Sequence, residues 1–204
     1  HVIEEAPITE PIEKQVYGPE AERLYLGFRF AGASDESVFK LRLMDMILSN
    51  STAGLIDLNL NQEQKLIGGG CFPMILKDYS VHGFYGSPKQ GQSLEDVKDL
   101  LLAEIEKVKS GDFPDWLIPA IINDLKLERI TQYESNKGRA GDFVDAFILD
   151  VSWEWFVNGI NSISQITKQD IIDFARTNYS NNYVLVNKRT GEDSSVMKVA
   201  KPKI

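Results

Sequence analysis

The sequence is poor in the side chains that most often carry chemistry. Its 204 residues include one cysteine, Cys71, and two histidines, His1 and His82. A single thiol excludes an internal disulfide and any zinc site built on several cysteines, and it leaves the compartment open. A helix-borne zinc peptidase site needs two imidazoles on one helix face with a carboxylate beside them. The stretch His1-Val2-Ile3-Glu4-Glu5 begins in that way, but its fifth place is glutamate and prolines follow it. No ligand site is expected there.

Positive charge is in deficit as well, with 22 lysines and arginines against 30 acidic residues and a formal net charge of -8. Nucleic-acid binding needs a surplus of cations to displace counterions, so that class of partner is excluded. No apolar run reaches the roughly 18 to 20 residues of a membrane-spanning helix, and no basic segment followed by an apolar stretch opens the chain. The run Gly68-Gly69-Gly70 lacks the Lys-Ser/Thr tail of a phosphate-binding loop, and no G-x-G-x-x-G leads from a strand into a helix. Three consecutive glycines instead predict a bulge or a close backbone approach, and a strand edge open to an extended peptide.

What is present is an ordinary globular composition, 43% hydrophobic and 25% charged, at the size of one large domain. Residues 1–19 carry Pro7, Pro11 and Pro19 with no helical period, which predicts an extended interdomain linker. Residues 20–190 read as a single α+β domain. Residues 191–204, with Gly191, Ser194, Ser195 and Pro202, read as a second linker. Two such tethers suggest a domain cut from a larger protein.

Alternation over Arg23 to Gly32 puts Leu24, Leu26, Phe28 and Phe30 on one face of a strand and Arg23, Tyr25 and Arg29 on the other. Ser34 is placed to cap a helix running to about Asn50, with Val38, Leu41, Met44 or Asp45, and Leu48 near helical spacing. A shorter helical piece is expected over Ala53 to Lys65. Ile67 to Lys77 and Tyr79 to Pro88 read as a strand pair turning at Asp78. Ser93 and Asp96 form a capping-box signature, and the stripe Val97, Leu101, Ile105, Val108 stops before Gly111. A further helix spans Asp115 to about Thr131 with Trp116, Ile122 and Leu125 or Leu127. After a polar break at Ser135 to Gly141 another runs through Trp155. Thr167 with Asp170 opens a short helix, and Tyr183 to Lys188 closes the series as a strand. Helices in blocks around a hairpin predict an antiparallel or mixed sheet with helices packed on one face.

Candidate chemistry is sparse. His82 lies within the strand YSVHGFYG, where a hydrogen-bonded structural histidine is the expected role, because a general base needs a positioned partner that the sequence does not supply. Cys71 could pair with it as a nucleophile. A small buried thiol fits better, since reactive thiolates need a positively charged neighbourhood. Asp142, Asp145, Asp150 and Glu154 are expected to form a solvated acidic face, as no histidine accompanies them. Trp153 and Trp155, two apart on a helix, point in different directions, which assigns at least one to the core.

The run PEAERLYLGFRFAG from Pro19 to Gly32, the GL…L…LI…G stretch from Gly54 to Gly70, ITKQDIIDFARTNY from Ile166 to Tyr179 and NNYVLVNKRTG from Asn181 to Gly191 resemble domains of the pitrilysin/insulinase family of zinc metallopeptidases. The likeness runs from about residue 17 to residue 191 and rests on order and spacing, because none of these stretches is an active-site motif. It implies the α+β fold of the insulinase and mitochondrial processing peptidase domains, a sheet with helices on one face. It also implies a parent of two clamshell halves, each of two related domains, enclosing a chamber where peptides or unfolded proteins are hydrolysed. The family's first domain carries the H-x-x-E-H helix and a downstream glutamate, and this sequence has neither. An Arg and a Tyr hold substrate in the family's last domain, and aligning by the leucines puts Asn61 and Gly68 at their places. The resemblance is therefore to the non-catalytic second domain of the N-terminal half.

No catalytic, cofactor or metal residue is expected in this chain; zinc is expected in the parent's preceding domain. The expected partners are other domains of the same polypeptide and, in the parent, a peptide substrate. Leu66, Ile67, Gly68, Gly69 and Gly70 are the candidates for lining the chamber, together with the exposed side of Leu24 to Phe30. A catalytically inactive relative serving as an assembly subunit, as in the mitochondrial respiratory complex, is the alternative implied by the same likeness. A free-standing peptide-binding module is a third.

Overall fold

A computed structural model describes residues 4–193. Among them the chain forms β1 (Ile12–Gly18), β2 (Arg23–Ala31), α1 (Ser37–Leu48), a π-helical turn (Asp57–Gln62), β3 (Gly68–Ile75), β4 (Tyr79–Ser87), α2 (Leu94–Ser110), α3 (Leu117–Tyr133), α4 (Asn136–Ile148), α5 (Trp153–Ser164), α6 (Lys168–Asn178) and β5 (Tyr183–Thr190). The five strands make one sheet in the order β1-β5-β2-β4-β3. Only β1 and β5 run parallel, and the other three pairs are antiparallel. This is the mixed-sheet α+β fold read from the sequence.

Period-two alternation explains why the helices cover one face. Leu24, Leu26, Phe28 and Phe30 are each at most 6% exposed, while Tyr25 between them is 41% exposed. Phe28 sits at the centre, edge-on to Phe84, Tyr179 and Tyr183 with ring centroids 4.8–6.0 Å away. A side chain buried to this degree contributes about 1.5–3 kcal/mol. Over it lie α1, α2 and α6, with buried stripes such as Leu41, Met44 and Leu48 or Val97, Leu101 and Ile105. The capping boxes at Ser93 with Asp96 and Thr167 with Asp170 form as expected, and Gly111 ends α2 at φ 77°, a left-handed turn that suits glycine.

Several expectations are corrected. Ile12–Gly18, read as linker, is an edge strand. Its prolines bracket the strand instead of interrupting it, so every residue of β1 keeps the N–H that pairing requires. At the other end β5 runs to Thr190 and Gly191 N–H bonds the Gly18 carbonyl at 3.0 Å; residues 194–204 of the expected second linker, and His1, lie outside the described residues. Ser34 does not cap α1. The Asp35 carboxylate accepts the Ser37 N–H at 2.8 Å instead, and the Ser37 hydroxyl together with that N–H holds its pKa below the usual carboxylate range. The piece over Ala53 to Lys65 contracts to the π-helical turn.

The single helix expected to run through Trp155 is two. Ser135 caps α4, Asp150 turns the chain at φ 54°, and Ser152 caps α5. The turn from α3 into α4 is tight enough that a Cβ at Gly138 would lie 2.0 Å from the Gln132 carbonyl oxygen. α4 packs mainly on α3 and α5.

Candidate functional site

The described residues hold one cluster of metal- and proton-binding side chains. It is built from four elements. Asp45 comes from the last turn of α1, Cys71 from β3, His82 from β4, and Tyr179 from the residue that ends α6. Cys71 and His82 share the helix-facing side of the sheet, and α1 closes over them. Ligand-type atoms of Asp45, Cys71 and His82 all lie within 4.8 Å of one another.

The bonding makes this a closed chain. His82 Nδ1 is 2.6 Å from Tyr179 Oη, and His82 Nε2 is 3.1 Å from Asp45 Oδ1. The imidazole is fully buried, and that burial pushes its pKa down against the opposing pull of Asp45. A neutral ring satisfies every partner if Tyr179 O–H donates to Nδ1 and Nε2–H donates to Asp45. Burial drives the Tyr179 phenol well up, so it keeps the proton it donates. Cys71 donates its thiol to the Asp45 carbonyl at 3.5 Å, and burial, with the Asp45 charge, pushes that thiol well up too. A protonated, half-buried thiol is neither a nucleophile nor a ready zinc ligand. The structure thus gives His82 the hydrogen-bonded role read from the sequence. Asp45 and Tyr179 were not anticipated as its partners; the one trace of them is a carboxylate interrupting the apolar stripe of α1.

The acidic residues of α4, α5 and the turn between them separate. Asp142 is not solvated: it is 1% exposed, 3.0 Å from Arg129 Nη1, and accepts Gln132 Nε2 at 2.5 Å. An inward-facing carboxylate needs such a cation, and Arg129 on α3 is out of reach of any local reading. Asp145 and Glu154 are exposed, and Asp150 pairs with Lys77 at 2.7 Å on the surface. Trp155 stacks on Phe39 beside the core, whereas Trp153 is 40% exposed against Phe143.

The stretch from Leu66 to Gly70 divides. Leu66 is core, 3% exposed, and cannot line an open surface; Gly69 and Gly70 are also buried, while Ile67 is 73% exposed and Gly68 half-buried. The glycines have a packing reason, since a Cβ on Gly70 would stand 2.9 Å from Tyr85 Oη. β3 is an edge strand, and the Asn61 side chain covers part of that edge. Its Nδ2 donates to the Gly69 carbonyl at 2.8 Å and its Oδ1 accepts the Gly69 N–H at 2.9 Å, as a partner strand would. Bonding direction alternates along a strand, so Cys71, Pro73 and Ile75 turn their backbones to the same outer edge. Asn61→Ala is expected to cost about 1–2 kcal/mol by leaving both Gly69 groups without that partner. Urea unfolding followed by circular dichroism would measure it, and an unchanged midpoint would remove Asn61 from this role.

Residues 3–125 match the family model described as the peptidase M16 inactive domain. The chain belongs to that family. No curated protein matches the sequence. Among solved structures, this M16 inactive domain is similar to a Helicobacter pylori protease, with a TM-score of 0.83 and 18% identity over 90% of this chain and 45% of that one. It is similar to the peptidase M16 inactive domain of Pseudomonas fluorescens, with a TM-score of 0.78 and 11% identity over 94% and 47% of the two chains. A chain of the Candida albicans complex III2 matches at a TM-score of 0.71 and 9% identity over 87% and 45%. At these identities the likeness shows the fold, and this M16 domain spans about half the length of those three chains. None of its described helices is long and apolar enough to cross a membrane.

Among the described residues, the zinc that the family implies finds no fitting site. The one cluster with ligand-type atoms keeps its thiol protonated and its imidazole nitrogens engaged.

Proposed function

We propose that this M16 inactive domain is a wall and packing domain of a larger zinc-dependent metalloendopeptidase, in which a preceding domain supplies the metal, the general base and the attacking water. The observation that carries this reading is the state of the Asp45–Cys71–His82 cluster: among the described residues, this one metal-type cluster is used up in a largely buried chain of bonds. Two further features suit a wall. The β3 edge beyond Asn61 leaves the backbones of Cys71 and Ile75 turned outward, a place for an extended substrate to add a strand. On the helical side, Leu127, Ile130, Phe143, Phe147 and Ile148 are between 58% and 86% exposed, as expected of a surface meant to pack on neighbouring domains.

The chain alone is expected to retain no stoichiometric zinc after dialysis against the metal and to leave an unstructured peptide intact. Elemental analysis finding one tightly held zinc per chain, or peptide cleavage that survives a chelator-sensitive protease control, would overturn the reading.

A second reading is a domain of a catalytically inactive relative that serves in assembly, and the likeness to a chain of complex III2 supports it. The sequence preceding this domain in its parent distinguishes the two. An H-x-x-E-H helix there favours the peptidase, and its absence favours the assembly subunit.

A further inference from the structure

α1, α3 and α5 enclose a cleft of about 150 Å3 whose charges do not close on themselves. Its apolar wall is Phe39 stacked on Trp155, with ring centroids 4.8 Å apart. Gly159 makes that wall possible, because a Cβ there would stand 2.9 Å from the Phe39 ring. Two guanidinium groups, Arg42 and Arg129, line the same cleft.

Their situations differ. Arg129 is committed: it pairs with buried Asp142 at 3.0 Å, donates to the Phe156 carbonyl at 3.4 Å, and lies over the rings of Tyr133 and Phe156 at 4.8 and 5.1 Å. Arg42 makes no hydrogen bond or ion pair among the described residues. Its side chain is exposed to solvent at the mouth of the cleft. Protein nonetheless crowds its head group enough that burial and the Arg129 charge push its pKa down, with Asp145 only partly offsetting them. Glu128 and Asp145 nearby are exposed and form no ion pair with it. A planar group with five donors and no protein acceptor, beside a second cation and an aromatic wall, is free to take an anion.

We propose that this cleft binds a carboxylate carried on an apolar body, with Arg42 taking the carboxylate and the Phe39–Trp155 stack seating the apolar part. A cavity of this size admits a group about as large as benzene. The ligand chemistry is therefore that of a peptide's hydrophobic C-terminal residue or of a free aryl or alkyl carboxylic acid. The site shares no residue with the β3 edge and does not depend on the parent being a peptidase.

Titration calorimetry on the chain, with Trp155 fluorescence as a second signal, tests this. The probes are N-acetylphenylalanine, its amide, and a short unstructured peptide ending in phenylalanine with a free or amidated C-terminus. Saturable binding of the acid is expected, with the amide at least about tenfold weaker. Arg42→Gln should lose about the same factor while its melting temperature stays within about 2 °C of the parent chain, since no bond is removed. A Trp155→Phe variant should lose the fluorescence change. If the free-ended peptide binds tighter than N-acetylphenylalanine the source is a peptide C-terminus, and if it binds no better the source is a free acid. Equal binding of acid and amide, unchanged binding by Arg42→Gln, or no saturation at concentrations on the order of 10 mM would overturn the site.

Discussion

His82→Ala is expected to destabilise the domain by about 3–4 kcal/mol, lowering the melting temperature by roughly 6–16 °C. The substitution opens a cavity beneath Phe84, whose ring centroid is 4.4 Å from that of His82. It also strands the Tyr179 hydroxyl and the Asp45 carboxylate oxygen, both now bonded to the imidazole. Buried polar groups left without a partner carry their full desolvation cost, which is why the effect exceeds that of a lost hydrogen bond. Calorimetry on the variant checks the magnitude; a fall of less than about 1 kcal/mol would mean that the chain of bonds is dispensable.

The same group makes stability depend on pH in a defined direction. The folded state holds His82 neutral, because burial lowers its pKa from the ordinary imidazole value of 6.5. The unfolded chain takes up a proton near that value and the folded protein does not. Protons therefore favour unfolding as the pH falls below about 6.5, the stabilisation being complete above that value and lost progressively down to the folded-state pKa. In His82→Asn this dependence should flatten between pH 7 and pH 5. An equally steep dependence in the variant would assign it to carboxylates instead.

Gly32→Ala is the second large effect. A Cβ on residue 32 would lie 2.0 Å from the Lys77 carbonyl oxygen and 2.8 Å from the carbonyl carbon and oxygen of Asp78. All three are backbone atoms, so no side chain can swing aside to admit the methyl group. Here the end of β2 crosses the turn between β3 and β4, tied by the Ala33 N–H to the Leu76 carbonyl at 2.9 Å. Relieving the clash means separating that turn from β2, at a cost of about 3 kcal/mol. Guanidinium unfolding would read it as a lower midpoint at unchanged slope. By contrast, a Cβ on Gly68 meets nothing within 4 Å, and Gly68→Ala should be close to neutral; equal losses at both positions would refute the crossing as the cause.

The local elements were legible because their causes are local. Val97, Leu101, Ile105 and Val108 repeat with the helix, and Ser93 and Asp96 bond each other across three residues. The hairpin of β3 and β4 followed from two strand-like runs turning at Asp78, and the glycine run lies on the edge strand. Where causes were not local, reading along the chain fell short. Ile12–Gly18 is a strand because Tyr183–Thr190 pairs with it from the far end of the chain. Asp142 looked solvated because the arginine that neutralises it comes from another helix.

The sequence by itself determined that this chain lacks the residues of a zinc peptidase site, that its helices and strands segregate into an α+β domain, and that it resembles a domain with no catalysis of its own. Composition and period suffice for such conclusions, since a missing residue type is missing in any fold. Only the tertiary structure decided what the remaining polar side chains do. His82 and Tyr179 are 97 residues apart and meet at 2.6 Å under α1, where burial keeps the ring neutral and the thiol of Cys71 protonated. Desolvation and hydrogen-bond partners set the chemistry of a histidine or a cysteine, and both exist only once distant parts of the chain have packed together.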